Sequence, residues 1–219
     1  MVFAASNQPL TAVVSNGDAA LRWLAATPPN SEKVRESLAH IVRSGKDAAE
    51  VVHCIRALFK GGKSEKLPLD MSGLVLEVLH LLQGETTRKC IAIETNLKNN
   101  LPEILGDRVQ LQQVVLNLLL NAIESMDGVV GQPKTINVHA AFNSPGMIVV
   151  AVIDRGKGIS DPARVFEPFF STKASGMGMG LAICRSIIEA HDGRLWIEPC
   201  EVPGSKICFT LPAPGNTGI

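Results

Sequence analysis

With 219 residues, 46% hydrophobic and 19% charged, the chain is expected to bury a core as one large or two small domains rather than stay disordered. Lysine plus arginine and aspartate plus glutamate both total 21, so no broad field attracts nucleic acid or an anionic membrane. A nucleotide pocket stays open, because it needs local donors and not net charge.

No apolar run approaches the roughly 20 residues of a membrane span. The longest, Val114 to Ala122, is broken by Asn117 and Asn121, and Met1 to Ser6 lacks the basic start and apolar run of a secretory signal. Cys54, Cys90, Cys184, Cys200 and Cys208 form no CxxC pair. Such a scattered, odd set reads as reduced, buried thiols of a cytoplasmic protein, not as a zinc site or a disulfide framework.

Two helical patterns open the chain. Leu10, Val13, Gly17, Ala20 and Leu24 recur at alternating steps of three and four, and Pro28-Pro29 ends the series. From Ser31, a candidate N-cap, a second series runs through Val34, Leu38, Ile41, Gly45, Ala48, Val52, Ile55 and Phe59. That heptad seam predicts a partner helix along its whole length. Two helices cannot enclose it alone, so a dimer forming a four-helix bundle is expected. The alternative is a hairpin packed on its own domain. The polar stretch Gly61 to Lys66 marks the boundary, dividing a hairpin over 1–62 from a second domain over 67–213.

Beyond the boundary the spacing predicts a helix over Ser72 to Arg88, a strand over Ile91 to Leu97 and an apolar helix over Asp107 to Met126. Strands follow over Thr135 to Phe142 and Met147 to Ile153, joined by the turn Asn143-Ser144-Pro145-Gly146. After a glycine-rich stretch from Arg155 to Gly180 comes a helix to Ala190, then strands over Arg194 to Glu198 and Lys206 to Leu211. This order predicts an α+β chain: an antiparallel helical hairpin, then an α/β sandwich with helices on one face of a mixed, mostly antiparallel sheet.

Four short patterns carry chemistry. Asn117 and Asn121, four apart, share one face of the apolar helix. Buried amides cost free energy unless bonded, and their oxygens suit Mg²⁺ held jointly with phosphates; two satisfied structural amides would explain them equally. The strand ending at Asp154 delivers a carboxylate followed by Gly156 and Gly158, which let a ligand approach the backbone. An ordinary strand-ending turn has the same pattern. Val165 to Lys173 holds Phe166, Phe169 and Phe170, able to anchor a lid, and Lys173, able to reach a phosphate or simply to face solvent. Gly176, Gly178 and Gly180, then Leu181, alternate just before a helix whose first N–H groups suit phosphates; a flexible loop is the bland alternative.

Taken together and in this order, residues 67 to 212 resemble the catalytic domain of sensor histidine kinases, within the superfamily that also holds gyrase, Hsp90 and MutL. Asn117 and Asn121 match its asparagine box, Asp154, Gly156 and Gly158 its first glycine box, Phe166 to Phe170 its phenylalanine box, and Gly176, Gly178 and Gly180 its second glycine box. The resemblance implies ATP and Mg²⁺ as ligands, with Asn121 on the metal, Asp154 on the adenine amine and the glycines lining a lid over the phosphates. Asn117 stands where hydrolytic relatives carry a water-activating glutamate, so the resemblance implies kinase-type chemistry and not fast hydrolysis.

Asn7-Gln8-Pro9-Leu10 resembles the dimerisation helix of a bacterial subgroup whose motif is His-Glu-x-Asn-Gln-Pro-Leu. That alignment puts Ala4 at the phosphoacceptor histidine and Ala5 at its acidic neighbour. Alanine has no nucleophile, so self-phosphorylation there is not expected. None of His40, His53, His80, His139 and His191 matches the acceptor motif. Met1 lies three residues before Ala4, which implies a shortened first helix and no preceding sensor segment. Gln8 matches the position that orients a hydrolytic water. The expected function is the Mg-ATP-binding core of a two-component kinase, a homodimer that contacts a response regulator. The alternative is a non-enzymatic ATP-binding dimer or pseudokinase that sequesters or dephosphorylates the regulator.

Overall fold

A computed structural model describes residues 2–59, 65–143, 146–168, 170–171, 178–200 and 203–213; within the two N-terminal helices, side chains are described for 10–45 and 48. The chain divides into two compact units, the N-terminal helices and a larger unit over Lys63–Phe170 and Gly178–Ile219.

Helix α1 spans Val2–Ala25 and α2 spans Ser31–Phe59. The short connection turns the chain back on itself, and the Asn30 N–H returns to the Trp23 carbonyl at 3.0 Å. Asn30 is the cap of α2: its Oδ1 accepts the Lys33 N–H at 3.0 Å. Ser31 was the expected cap, but the residue whose side chain reaches two to three positions ahead takes that role. The helices pack through small residues, with Ala20 and Ser37 buried between them. The expected seam splits. Val34, Ile41 and Ala48 are partly covered, while Leu38 and Gly45 lie open. Leu10, Val14, Leu21, Leu24, Leu38 and Val42 are all more than half exposed, a second apolar face that one hairpin leaves uncovered.

The larger unit holds α3 (Met71–Arg88), α4 (Arg108–Ser125) and α5 (Gly180–Ala190). Its strands are β1 (Leu67–Leu69), β2 (Ala92–Leu97), β3 (Ile104–Gly106), β4 (Thr135–Asn143), β5 (Met147–Asp154), β6 (Arg194–Glu198) and β7 (Ser205–Pro212). Five form one sheet in the order β2-β4-β5-β7-β6, with only β2 and β4 parallel. The short strands β1 and β3 pair as a separate antiparallel ribbon. This is the expected α+β architecture, with a mixed, mostly antiparallel sheet. The turn residues Ser144 and Pro145 lie outside the described residues.

Alternation explains the layers. Along β5, Ile148, Val150 and Val152 are buried, and along β7, Ile207, Phe209 and Leu211. These rows face the helices, where Leu111, Val114, Val115, Leu118, Leu119 and Ile123 of α4 fill the core. Helix α4 packs on β5 and between α3 and α5. Asp70 and Asp107 cap α3 and α4 by accepting N–H groups of their first turns. Among the described residues no helix is long and apolar enough to cross a membrane.

Candidate functional site

Asp154 ends the row Ile148, Val150, Val152, so the strand's own period points its carboxylate to the helix side of the sheet. It is 3% exposed. A buried carboxylate is costly without donors, and Asp154 has three. Its Oδ1 accepts the Ser125 hydroxyl and the Gly156 N–H, each at 2.8 Å. Its Oδ2 accepts the Ser205 hydroxyl. The register that pairs Asp154 with Ser205 puts both at the same end of the sheet and on the same face.

The loop after β5 is tied to the end of α4. The Lys157 N–H donates to the Ser125 carbonyl at 3.1 Å. Gly156 is required here because a Cβ would stand 2.1 Å from the Ser125 hydroxyl. Gly158 follows in the same turn, beside Gly204 of the approach to β7.

Asn117 and Asn121 do lie on one face of α4, at the edge of its buried stripe. Both are partly exposed, not sealed in the core as the apolar run implied. Asn117 hydrogen-bonds toward the Cys184 thiol of α5, a bond that works against the burial pushing that thiol up to about 12. Asn121 also has a partner in the structure. Among the described residues no cluster of three His, Cys, Asp or Glu could cage a metal.

Helix α5 starts at Gly180, and its cap residue Met179 supplies no side-chain acceptor, unlike Asp70 and Asp107. Gly178 has φ +67°, and a Cβ there would meet the Phe170 carbonyl oxygen at 2.2 Å, so the two backbones touch. Leu181 lies in the first turn of α5 and is half-buried. Phe166 and Phe170 are half-buried, with the guanidiniums of Arg185 and Arg164 5.9 and 4.4 Å from their ring centres. Phe169, Lys173 and Gly176 lie outside the described residues.

Ala4, Ala5 and Gln8 sit within α1, in the part where side chains are not described. His191 is 2% exposed and uses both ring nitrogens, Nε2 accepting the Asp107 N–H at 3.0 Å and Nδ1 lying 2.8 Å from the Ile187 carbonyl. It is a structural residue with no lone pair to offer. The structure therefore gathers Asp154, Gly156 and Gly158 with the end of α4, and adds Ser125 and Ser205. Both serines escaped the sequence reading. Ser125 carries a weak signal, one helical turn beyond Asn121; Ser205 lies 51 residues from its partner and carries none.

Residues 106–215 match the family of histidine kinase-, DNA gyrase B-, and HSP90-like ATPases. The sensor histidine kinase TmoS of Ectopseudomonas mendocina is 34% identical over 211 residues, covering 95% of this chain and 22% of that protein. The chain thus spans about a fifth of that relative's length. A nucleotide-free catalytic domain of histidine kinase ThkA is 31% identical with a TM-score of 0.59, over 68% of this chain and 95% of that one. ThkA in complex with the response regulator protein TrrA shares the fold at 24% identity and a TM-score of 0.70, over 97% of this chain and 60% of that one.

Proposed function

This chain belongs to the histidine kinase-, DNA gyrase B- and HSP90-like ATPase family, as a catalytic domain of the histidine-kinase type, and from that premise we propose that it is the Mg-ATP-binding core of a two-component sensor histidine kinase. In this reading residues 67–213 bind nucleotide, and residues 1–62 form a dimerisation hairpin in the cytoplasm. The observation that carries it is Asp154: a buried carboxyl group, held by two hydroxyls and an amide, at the mouth of a glycine turn.

The residues fit the ligands. Among the described residues Oδ2 of Asp154 accepts one hydrogen bond, so it retains capacity for the exocyclic amine of adenine. Gly156 and Gly158 admit the purine close to the backbone. Gly178, Gly180 and Leu181 offer amide donors at the start of α5, and we place Lys173, for its charge, and Gly176, for the resemblance of its glycine box, with the phosphates. Without a carboxylate cage, a magnesium ion would be held by the Asn121 amide oxygen together with phosphate oxygens, and Asn117 would line its approach. Bound magnesium would offset charge on the phosphates during transfer to a histidine. Asn117 is no general base at neutral pH, which favours transfer over hydrolysis.

Ala4 and Ala5 stand at the acceptor pair, so the phosphate would go to a histidine of another chain. The exposed row Leu10, Val14, Leu21, Leu24, Leu38 and Val42 supports a homodimer built as a four-helix bundle. A response regulator is the partner proposed by kinship with ThkA, which is described bound to TrrA. The same Ala4-Ala5 pair supports a second reading, a non-enzymatic dimer that sequesters the regulator or dephosphorylates it through Gln8.

Calorimetry with ATP in millimolar magnesium tests the binding site: Asp154→Asn and Asn121→Ala each weaken uptake by about tenfold or more. No uptake by the unaltered chain sinks the proposal. Radiolabelled ATP and a separate histidine-bearing hairpin then divide the two readings. Label on the hairpin supports the kinase; regulator dephosphorylation that depends on Gln8, without label transfer, supports the other.

A further inference from the structure

Ser125 Oγ lies 2.8 Å from two acceptors, the Ala122 carbonyl of its own helix and Oδ1 of Asp154. A hydroxyl has one proton, and of the two acceptors one is a backbone carbonyl of its own helix and the other is the carboxyl oxygen of Asp154. A hydrogen bond to a carboxylate is the stronger, and turning the proton away would set two oxygen lone pairs against each other at that distance. The proton therefore sits on the Asp154 side. With the Gly156 N–H, it completes the two lone pairs of Oδ1. Oδ2 has accepted only the Ser205 hydroxyl among the described residues.

We propose that Ser125 is a positioning residue for purine selection: by saturating Oδ1 it locks the carboxylate of Asp154 so that Oδ2 alone accepts from a 6-amino group. The inference rests on the nucleotide reading above. A carboxylate held at both oxygens cannot rotate to suit other edges, so an amino group is accepted and a carbonyl or bare carbon is not. The fit of Gly156 belongs to the same device. A Cβ at that position would displace the Ser125 hydroxyl from Asp154, since it would stand 2.1 Å away. The Lys157 N–H to the Ser125 carbonyl holds the end of α4 in place.

The test compares ATP with purine riboside triphosphate, which lacks any group at C6, by calorimetry on the full chain. Ser125→Ala is expected to weaken ATP binding roughly tenfold while purine riboside triphosphate changes by less than about twofold. Ser125→Cys keeps the branching of the side chain with a somewhat larger atom, donates poorly, and carries the same expectation should the alanine variant lose its native circular dichroism. Equal weakening of both nucleotides means a packing role and overturns the proposal, as does unchanged ATP binding. Asp154→Asn separates the two levels. If it abolishes the ATP preference while both Ser125 variants keep it, the role of Ser125 alone is wrong. If it leaves the preference intact, the adenine reading itself fails and this inference with it.

Discussion

The imidazole of His191 accepts the backbone N–H of Asp107 at 3.0 Å, joining the end of α5 to the cap of α4 across 84 residues of sequence. Its other nitrogen faces the Ile187 carbonyl, so the ring ties down two helix ends at once. His191→Ala leaves the Asp107 N–H without that acceptor and opens a gap beside Gly106. We expect a loss of about 2–3 kcal/mol, read from urea unfolding at unchanged slope. A change within experimental error would show that water replaces the ring without cost.

Gly178 has a left-handed backbone in contact with Phe170. Gly178→Ala must move one of the two segments, at about 1–3 kcal/mol. The expected outcome is a lower melting temperature and ATP binding weakened by about tenfold, because the start of α5 shifts with it. Gly17→Ala, where a Cβ meets nothing within 4 Å, is the matched control and leaves nucleotide binding intact.

Burial pushes Cys184 up to about 12, against a hydrogen bond from Asn117 that acts the other way. Burial, then the neighbouring Glu198, pushes Cys208 up to about 12 as well. A raised value means the reactive thiolate is nearly absent at pH values well below it. Iodoacetamide near neutral pH is therefore expected to label the exposed Cys90 and spare Cys184 and Cys208 in the native protein. Peptide mass spectrometry locates the label. Equal labelling of Cys184 in native and unfolded protein would contradict the packing of α4 on α5.

The open apolar row on the hairpin predicts self-association. Leu21, 66% exposed, and Val42, 62% exposed, are expected to be covered in the dimer. A charge at either position occurs twice in a symmetric interface, so Leu21→Glu with Val42→Glu raises the dissociation constant at least about a hundredfold. Sedimentation velocity reads the change. An unaltered chain that stays monomeric at high concentration removes the four-helix bundle.

Elements with several periods of pattern were legible in the sequence. Helices α3, α4 and α5 and strands β4 to β7 fall within a residue or two of their expected bounds. The ribbon β1–β3 was not legible, because three residues per strand hold no measurable alternation and its pairing is set by packing. The cap of α2 was placed one residue late, since Asn30 and Ser31 are equally good capping types and only backbone geometry chooses between them. On the hairpin, spacing identified apolar positions but not their partners. Val34 and Ile41 are partly covered, while Leu38 is exposed.

The sequence by itself determined that a carboxylate ends an apolar strand, that glycines follow it at alternate positions and that two amides share a helix face. These are properties of spacing, and spacing is local. Only the tertiary structure decided that Ser125 and Ser205 meet on Asp154, and that His191 braces the cap of α4. Hydrogen bonds between residues tens of positions apart depend on strand register and helix packing, which arise from the burial of the whole core and leave little or no mark at the residues themselves.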